Sequence, residues 1–315
     1  MPSNQLKPDA ARPLSAGAVA VMLMLCLSWG FNQIAVKLAL PDIPAMLQAL
    51  FRSIVALPVI LIIGWLRGVN FLLRDGTLGP GLLLGAVFSI EFVLIYQGLR
   101  LTSASRASVF LYTAPFFVAL GSYQMLGERL RPSQWAGLAL CFAGVALAIG
   151  VPQAEVDGRV LTGDLMVVGG GVLWAVTTVI VKATKLRFVA AEKGLCYQVT
   201  TSIPILGAAA WFFGEKLTHV PGPLAIAVVT YQAIWVVGLT FTLWFALVQN
   251  YSASKLSAFT FITPLFGVSA SYLIMHDELT LAFGAAALLV IAGLFLVNRS
   301  EVTGPRVVPD PNVPT

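Results

Sequence analysis

Ten predominantly apolar runs of 17 to 25 residues, parted by short polar turns, fill almost the whole chain. They are approximately Ala16–Val36, Ala45–Leu66, Gly79–Leu99, Ala104–Leu126, Ser133–Gly150, Gly163–Val181, Ala191–Phe213, Leu224–Val248, Ser254–Met275 and Leu281–Val297. A helix of about 20 apolar residues is what crosses the hydrocarbon core of a bilayer. Inside that core every backbone polar group has to be satisfied within the protein, so a continuous run reads as a helix. A barrel would show short alternating segments instead. The expected fold class is all-α integral membrane, with ten transmembrane helices.

Charge content points the same way. Of 315 residues 58% are hydrophobic and only 10% charged, where a soluble domain carries about 25% charge. That excludes a soluble single-core globule, a disordered chain, collagen and a nucleic-acid binder. The net charge of +5 then reads as membrane topology. With the N-terminus placed in the cytoplasm, only Lys37, Arg100, Arg106, Arg159 and Lys216 of the 19 Lys and Arg fall outside, and Arg52 falls within a span. The remainder are cytoplasmic, which favours a multi-pass protein of the inner (cytoplasmic) membrane with both termini inside. Residues 1–15 form a polar cytoplasmic tail. The run that follows is too long for a signal-peptide core and is expected to be retained as the first span. Residues 298–315, rich in Pro and Val, form a cytoplasmic tail expected to be disordered.

The most informative pattern is an internal repeat. Ser103-Ala104-Ser105-Arg106-Ala107-Ser108 leads to Pro115, and Ser252-Ala253-Ser254-Lys255-Leu256-Ser257 leads to Pro264, at a shift of 149. The same shift pairs Phe110 with Phe259, Phe117 with Phe266 and Ala143-Gly144 with Ala292-Gly293. Slightly smaller shifts pair Trp29 with Trp174, Val36-Lys37 with Val181-Lys182, and Pro58 with Pro204. The chain therefore divides into residues 16–150 and 163–297, each of five spans. Five is odd, so the second copy enters the membrane from the opposite side. The turn Glu128-Arg129-Leu130-Arg131, assigned inside, becomes Asp277-Glu278-Leu279-Thr280, assigned outside, and loses both arginines. Inverted halves can exchange conformations about a site near the midplane, which is a carrier architecture.

These residues resemble a known family, the EamA-type carriers of the drug/metabolite transporter superfamily. The resemblance rests on Ser-Trp-Gly-Phe at 28–31, Thr-Ser-Ala-Ser-Arg-Ala-Ser at 102–108, Pro-Phe-Phe-Val-Ala-Leu at 115–120, Gly-Glu-Arg-Leu at 127–130 and Ala-Gly at 143–144. Weaker counterparts are Ser-Ala-Ser-Lys at 252–255, Pro264 and Ala-Gly at 292–293. It implies two EamA units, a central cavity lined largely by spans 1, 3, 4, 6, 8 and 9, and movement of small metabolites such as amino acids. His276-Asp277-Glu278 departs from the Gly-Glu usual in the family's second copy.

Ionisable groups at membrane depth are the first functional candidates. Arg52 and Glu91 fall at similar depths in spans 2 and 3. Either they form a salt bridge joining the two helices, or Arg52 binds a substrate carboxylate while Glu91 takes a substrate amine or a proton. Their repeat positions hold Gln198 and Thr240. Trp29 and Asn32 on span 1, with Trp174, Thr177 and Thr178 on span 6, suit a cavity wall or aromatic packing. Tyr96, Tyr112, Tyr231 and Trp235 are weaker wall candidates. Ser105, Ser108, Ser254 and Ser257 suit close helix packing. Pro115 and Pro264 are expected to kink spans 4 and 9 and are candidate gates. Gly169-Gly170-Gly171 lacks the Lys-Ser/Thr of a phosphate loop and reads as helix packing. The two histidines and three cysteines are too few and too scattered for a metal site or a disulfide framework, and no cofactor is expected. The first reading is a secondary transporter that exports a small organic solute, with protons as a candidate coupling ion. A non-transporting membrane receptor or an integral membrane enzyme is the alternative. The oligomeric state stays open, and a monomer is compatible with the sequence.

Overall fold

The computed structural model describes residues 14–102, 104–149, 157–275 and 281–299. The expectations for the two tails, for the turn His276-Asp277-Glu278 and for the side chain of Ser105 lie outside what it describes. Ten helices are long and apolar enough to cross a membrane. Spans 1 to 3 are Ala16–Ala39, Ala45–Leu66 and Leu78–Leu101. Span 4 is Ala104–Leu111 followed by Ala114–Leu126, and span 5 is Pro132–Ile149. Spans 6 and 7 are Gly158–Ala183 and Ala191–Phe212. Span 8 is Pro223–Asn250, span 9 is Ala253–Met275 in three pieces, and span 10 is Leu281–Arg299.

Where helix ends differ from the apolar runs, side-chain caps account for it. Span 6 begins five residues before its apolar run, because Asp157 Oδ1 accepts from the Val160 N–H at 2.8 Å and Thr162 Oγ1 donates to the Gly158 carbonyl at 2.7 Å. Span 1 starts where expected, with Ser15 Oγ accepting from Ala18 N at 3.1 Å. Three spans carry interruptions. Span 4 breaks after Leu111, where Thr113 Oγ1 donates to the Phe110 carbonyl at 2.6 Å, and Pro115 sits in the first turn of the second piece. Span 9 tightens to a 3₁₀ turn at Thr260–Ile262 immediately before Pro264. Span 8 is π-helical over Gln232–Phe241, a feature that no sequence pattern announced. Its repeat mate, span 3, is α-helical throughout.

The packing is that of two inverted five-helix repeats. Span 3 packs on span 6 and span 8 on span 1; span 4 packs on span 6 and span 9 on span 1; span 3 packs on span 7 and span 8 on span 2. Exchanging the halves turns each contact into its partner and maps the 2–7 and 5–10 contacts onto themselves. With ten spans, Ala16 and Arg299 lie at one end of the bundle (the terminal end), and the turns after spans 1, 3 and 7 lie at the distal end. Repeat mates Trp65 and Trp211, 74% and 82% exposed, fall at opposite ends, as inversion requires and as suits aromatic anchors at the two membrane interfaces. Glycines let the halves touch. A Cβ on Gly137 would stand 2.6 Å from the Gly293 carbonyl oxygen, and one on Gly293 2.5 Å from that of Gly137. This backbone contact docks span 5 on span 10 and follows the small-residue rule of membrane helix pairs.

Candidate functional site

A cavity of about 510 Å³ occupies the centre of the bundle. Span 3 supplies one continuous face to it through Phe88, Glu91, Phe92, Ile95, Tyr96 and Leu99, the i, i+3, i+4 spacing of a single helix stripe. Spans 1, 4, 6 and 8 supply the other main walls. Span 9 contributes Thr263 alone, while spans 2 and 7, absent from the expected lining, contribute Arg52 and Gln198. At the distal end the rim is formed by the exposed residues Lys37, Leu40 and Leu99. Toward the terminal end the floor is buried and consists of Thr178, Val181, Trp244 and Phe245. The cavity thus opens at the distal end and is closed at the other.

Arg52 and Glu91 are 2% and 7% exposed, and both face the cavity. The salt bridge that was one of their two readings is not formed, for no ion pair joins them among the described residues. The Arg52 guanidinium lies over the Phe92 ring instead, 4.2 Å from its centroid. Its Nε and Nη2, together with Glu91 Oε2 and Asn32 Oδ1, are buried without a hydrogen-bond partner. Burying a polar group unpaired costs about 1–3 kcal/mol, and more for a charged one. Four such atoms around one cavity are groups arranged for something the protein itself does not provide.

Most of the other candidates converge here. Trp29, Asn32, Tyr96, Tyr112, Trp174, Thr177 and Thr178 all line the cavity. The Trp29 indole N–H donates to Thr240 Oγ1 at 2.9 Å, and its ring packs edge-on against Trp244 and Phe241 at 5.7 and 6.3 Å. Thr240, the repeat mate of Glu91, therefore holds the wall in place. Thr177 and Thr178 both donate to the Trp174 carbonyl, at 2.7 and 3.0 Å, so their hydroxyls are engaged with the helix itself. Tyr112 packs against Trp174 with centroids 6.5 Å apart. Trp235 departs from expectation. It is 39% exposed, does not line the cavity, and donates to Ser28 Oγ at 3.0 Å. Its neighbour Val236 occupies the inward position, since adjacent residues of a helix face different ways. Tyr231 is likewise tied to span 1, donating to the Ser28 carbonyl at 3.2 Å. Pro115 and Pro264 follow the interruptions of spans 4 and 9 and are absent from the lining.

Beneath the floor lies a polar cluster whose charges stand at the ends of spans, where the apolar runs do not single them out. Gly127 ends span 4 at φ +68°, a left-handed turn that glycine adopts without strain, and this brings Glu128 under the start of span 9. The Glu128 carboxylate accepts from Ser252 Oγ and Ser254 Oγ, both at 2.8 Å, and from the backbone N–H groups of Ala253 and Ser254 at 3.2 and 3.3 Å. Lys182, the residue after Val181 in span 6, pairs with it at 2.9 Å and also donates to the Tyr251 carbonyl. Burial would raise the Glu128 pKa, but Lys182 and the serine hydroxyls hold it below the ordinary carboxylate range. The signal was present in the sequence as Gly-Glu-Arg-Leu and Ser-Ala-Ser, two motifs of opposite halves whose meeting only the fold reveals. At the distal end Arg106 and Thr102 bind Asp164 in the corresponding way, across spans 3, 4 and 6. The loops are tied too. Lys193 holds Asp75 at 2.7 Å, which together with Thr77 keeps that carboxyl well below its usual range. Asp42 is held low by the Gly222 N–H and His219.

The sequence profile of the EamA-like transporter family matches residues 16–150 and 161–299, one match for each repeat. Among curated proteins, an uncharacterised transporter of Bacillus subtilis (strain 168) is 28% identical over 284 residues, covering 89% of this chain and 91% of its own. A protein of Salmonella typhimurium named "Probable amino-acid metabolite efflux pump" is 27% identical over 288 residues, covering 87% and 92%. A solved crystal structure superposes with a TM-score of 0.76 at 19% identity, over 89% of this chain and 97% of the other, a likeness of fold. Two family matches, one on each five-helix half and together spanning nearly all of the described helices, place the chain in the EamA-like transporter family.

Proposed function

We propose that this protein is a secondary carrier that exports a small organic solute, an amino acid or a related metabolite, by alternating access around the central cavity. One observation carries the reading: the two inverted halves converge on a cavity that is open at one end only and is lined by buried, unpartnered polar groups. Inverted repeats make the mirror state available to the same sequence, with the cavity open at the other end. Relatives named as amino-acid metabolite efflux pumps favour the solute class. The positive-inside asymmetry favours an orientation with the terminal end in the cytoplasm and the protein in the inner membrane. In that orientation the structure is outward-open, and the Glu128–Lys182 cluster lies on the cytoplasmic side of the floor. Ion or proton gradients would supply the driving force, and Glu91, facing the cavity, is the group through which a proton would couple.

The test is counterflow. Proteoliposomes loaded with unlabelled amino acids are diluted into trace labelled solute, and accumulation above protein-free liposomes is measured. Accumulation of at least one amino acid is expected. Binding of a solute with no accumulation of any would replace the carrier with a receptor.

A further inference from the structure

The cavity is built in two layers, and we infer that its ligand is a zwitterion with a bulky apolar body, held with its charged head toward the distal mouth and its body toward the floor. This deepens the carrier reading above and rests on it. The head layer is Arg52, Glu91 and Asn32. Arg52 lies seven residues into span 2 from its distal start, a depth of roughly 10 Å at ~1.5 Å per residue. Glu91 lies ten residues from the distal end of span 3, at roughly 15 Å by the same measure. Stacking on Phe92 fixes the plane of the guanidinium, leaving Nε and Nη2 in the planar arrangement that suits the two oxygens of a carboxylate. Glu91 offers Oε2 to a cation, and Asn32 Oδ1 is a neutral acceptor for a further N–H.

The second layer is aromatic. Trp29, Phe88, Phe241 and Trp244 form a chain of edge-on contacts with centroids 5.7 to 6.3 Å apart. Trp29 lies ten residues from the distal end of span 1, level with Glu91, and Phe241 and Trp244 belong to the terminal-end half of span 8, so the layer starts at the depth of the charges and extends below them. The Trp29 indole N–H is already spent on Thr240, so the ring presents carbon to the cavity.

The sign of each charge decides the ligand class. Arg52 and Glu91 make no ion pair with each other, so each is left with buried polar atoms that need a partner. An anionic ligand would satisfy Arg52 and leave Glu91 unpaired; a cationic one would do the reverse. A ligand bearing both charges satisfies both and keeps the site neutral, and a buried charge left without its partner is strongly unfavourable. The aromatic layer then rewards a body large enough to reach it and wastes its surface on a small one.

The experiment uses the purified, unmodified protein in detergent and four probes: L-phenylalanine, 3-phenylpropionate, 2-phenylethylamine and L-alanine. Binding is measured by calorimetry. L-Phenylalanine is expected to bind most tightly. Each probe lacking the amine, the carboxylate or the ring should bind about tenfold more weakly or worse, the scale of one lost charge-assisted hydrogen bond. In Arg52→Gln the preference for L-phenylalanine over 2-phenylethylamine should vanish while that over 3-phenylpropionate persists; Glu91→Gln should do the opposite. Equal affinity for all four probes, no binding of any, or unchanged preferences in both variants would overturn the assignment. The probe series on the unmodified protein decides the matter even where a variant fails to fold. Counterflow separates this inference from its foundation: the expected binding pattern without flux removes the carrier and keeps the ligand class, whereas flux with flat preferences removes the ligand class and keeps the carrier.

Discussion

At the scale of single residues, the two buried charge systems are built for opposite ends. Glu128, from the first half, is surrounded by donors from the second half of the chain and has its counter-ion in place, so its energy is spent on joining the two halves. Arg52 and Glu91 have no such satisfaction, so theirs is available to a ligand. Glu128→Gln is expected to destabilise the protein by about 3–5 kcal/mol, because Lys182 would be left buried without its carboxylate. A thermal melt in detergent reads this, and an unchanged midpoint would show that the cluster is not structural. The pH dependence has a definite sign. Glu128 has its pKa depressed in the folded state, so its stabilisation is complete above the unfolded value of about 4.3 and is lost as pH falls through the lower folded value. The Gln variant should lose that acid-limb dependence. Arg52 and Glu91 were legible from the sequence because charge in an apolar run stands out; whether they pair with each other was not, since two residues at one depth can face each other or share a cavity wall without touching.

At the scale of helices, span limits followed from apolar runs to within a few residues, and the exceptions were set by polar caps such as Asp157, which extend a helix past its hydrophobic stretch. The breaks near Pro115 and Pro264 were also legible, since proline withholds a backbone donor. The π-helical stretch of span 8 was not, for no local residue pattern marks it; it is the part of span 8 that packs on spans 1 and 2. Glycine contacts are the sharpest element-scale prediction. Gly137→Ala places a Cβ 2.6 Å from the Gly293 carbonyl oxygen and should cost about 1–3 kcal/mol through forced separation of spans 5 and 10. Gly79→Ala, at a site with nothing within 4 Å, should show no loss. Equal melting temperatures for the two variants would mean that the 5–10 contact is looser than its geometry.

At the scale of the whole molecule, the cavity floor of Thr178, Val181, Trp244 and Phe245 is backed at the terminal end by the Glu128–Lys182 cluster. Weakening that cluster should open the cavity there. With Cys196 replaced by serine, a cysteine introduced at Thr178 is expected to resist a membrane-impermeant thiol reagent applied from the side of the terminal end. Adding Ser254→Ala or Glu128→Gln should raise its labelling several-fold, with a matching fall for a cysteine at Leu40 labelled from the side of the distal end. Labelling that stays the same at both positions in folded protein would show that closure is held elsewhere.

The sequence by itself determined ten membrane helices, their division into two halves and the inversion of the second. These follow from local hydrophobicity, charge bias and a repeat of odd span number, none of which needs a contact to be known. Most of the residues it singled out also line the cavity, since an indole or a charge in the middle of a span is conspicuous, whereas the apolar part of the lining carries no such mark. Only the tertiary structure decided that Arg52 and Glu91 stay apart, that Trp235 turns away while Val236 turns in, and that Glu128 from one half caps a helix of the other. The physical reason is that hydrophobic patterning sets how deep a side chain lies and roughly which way it points. What it meets there depends on helices as far as 54 to 211 residues away, as for Lys182 on Glu128 and Trp29 on Thr240, brought together by packing that leaves no local mark on the chain.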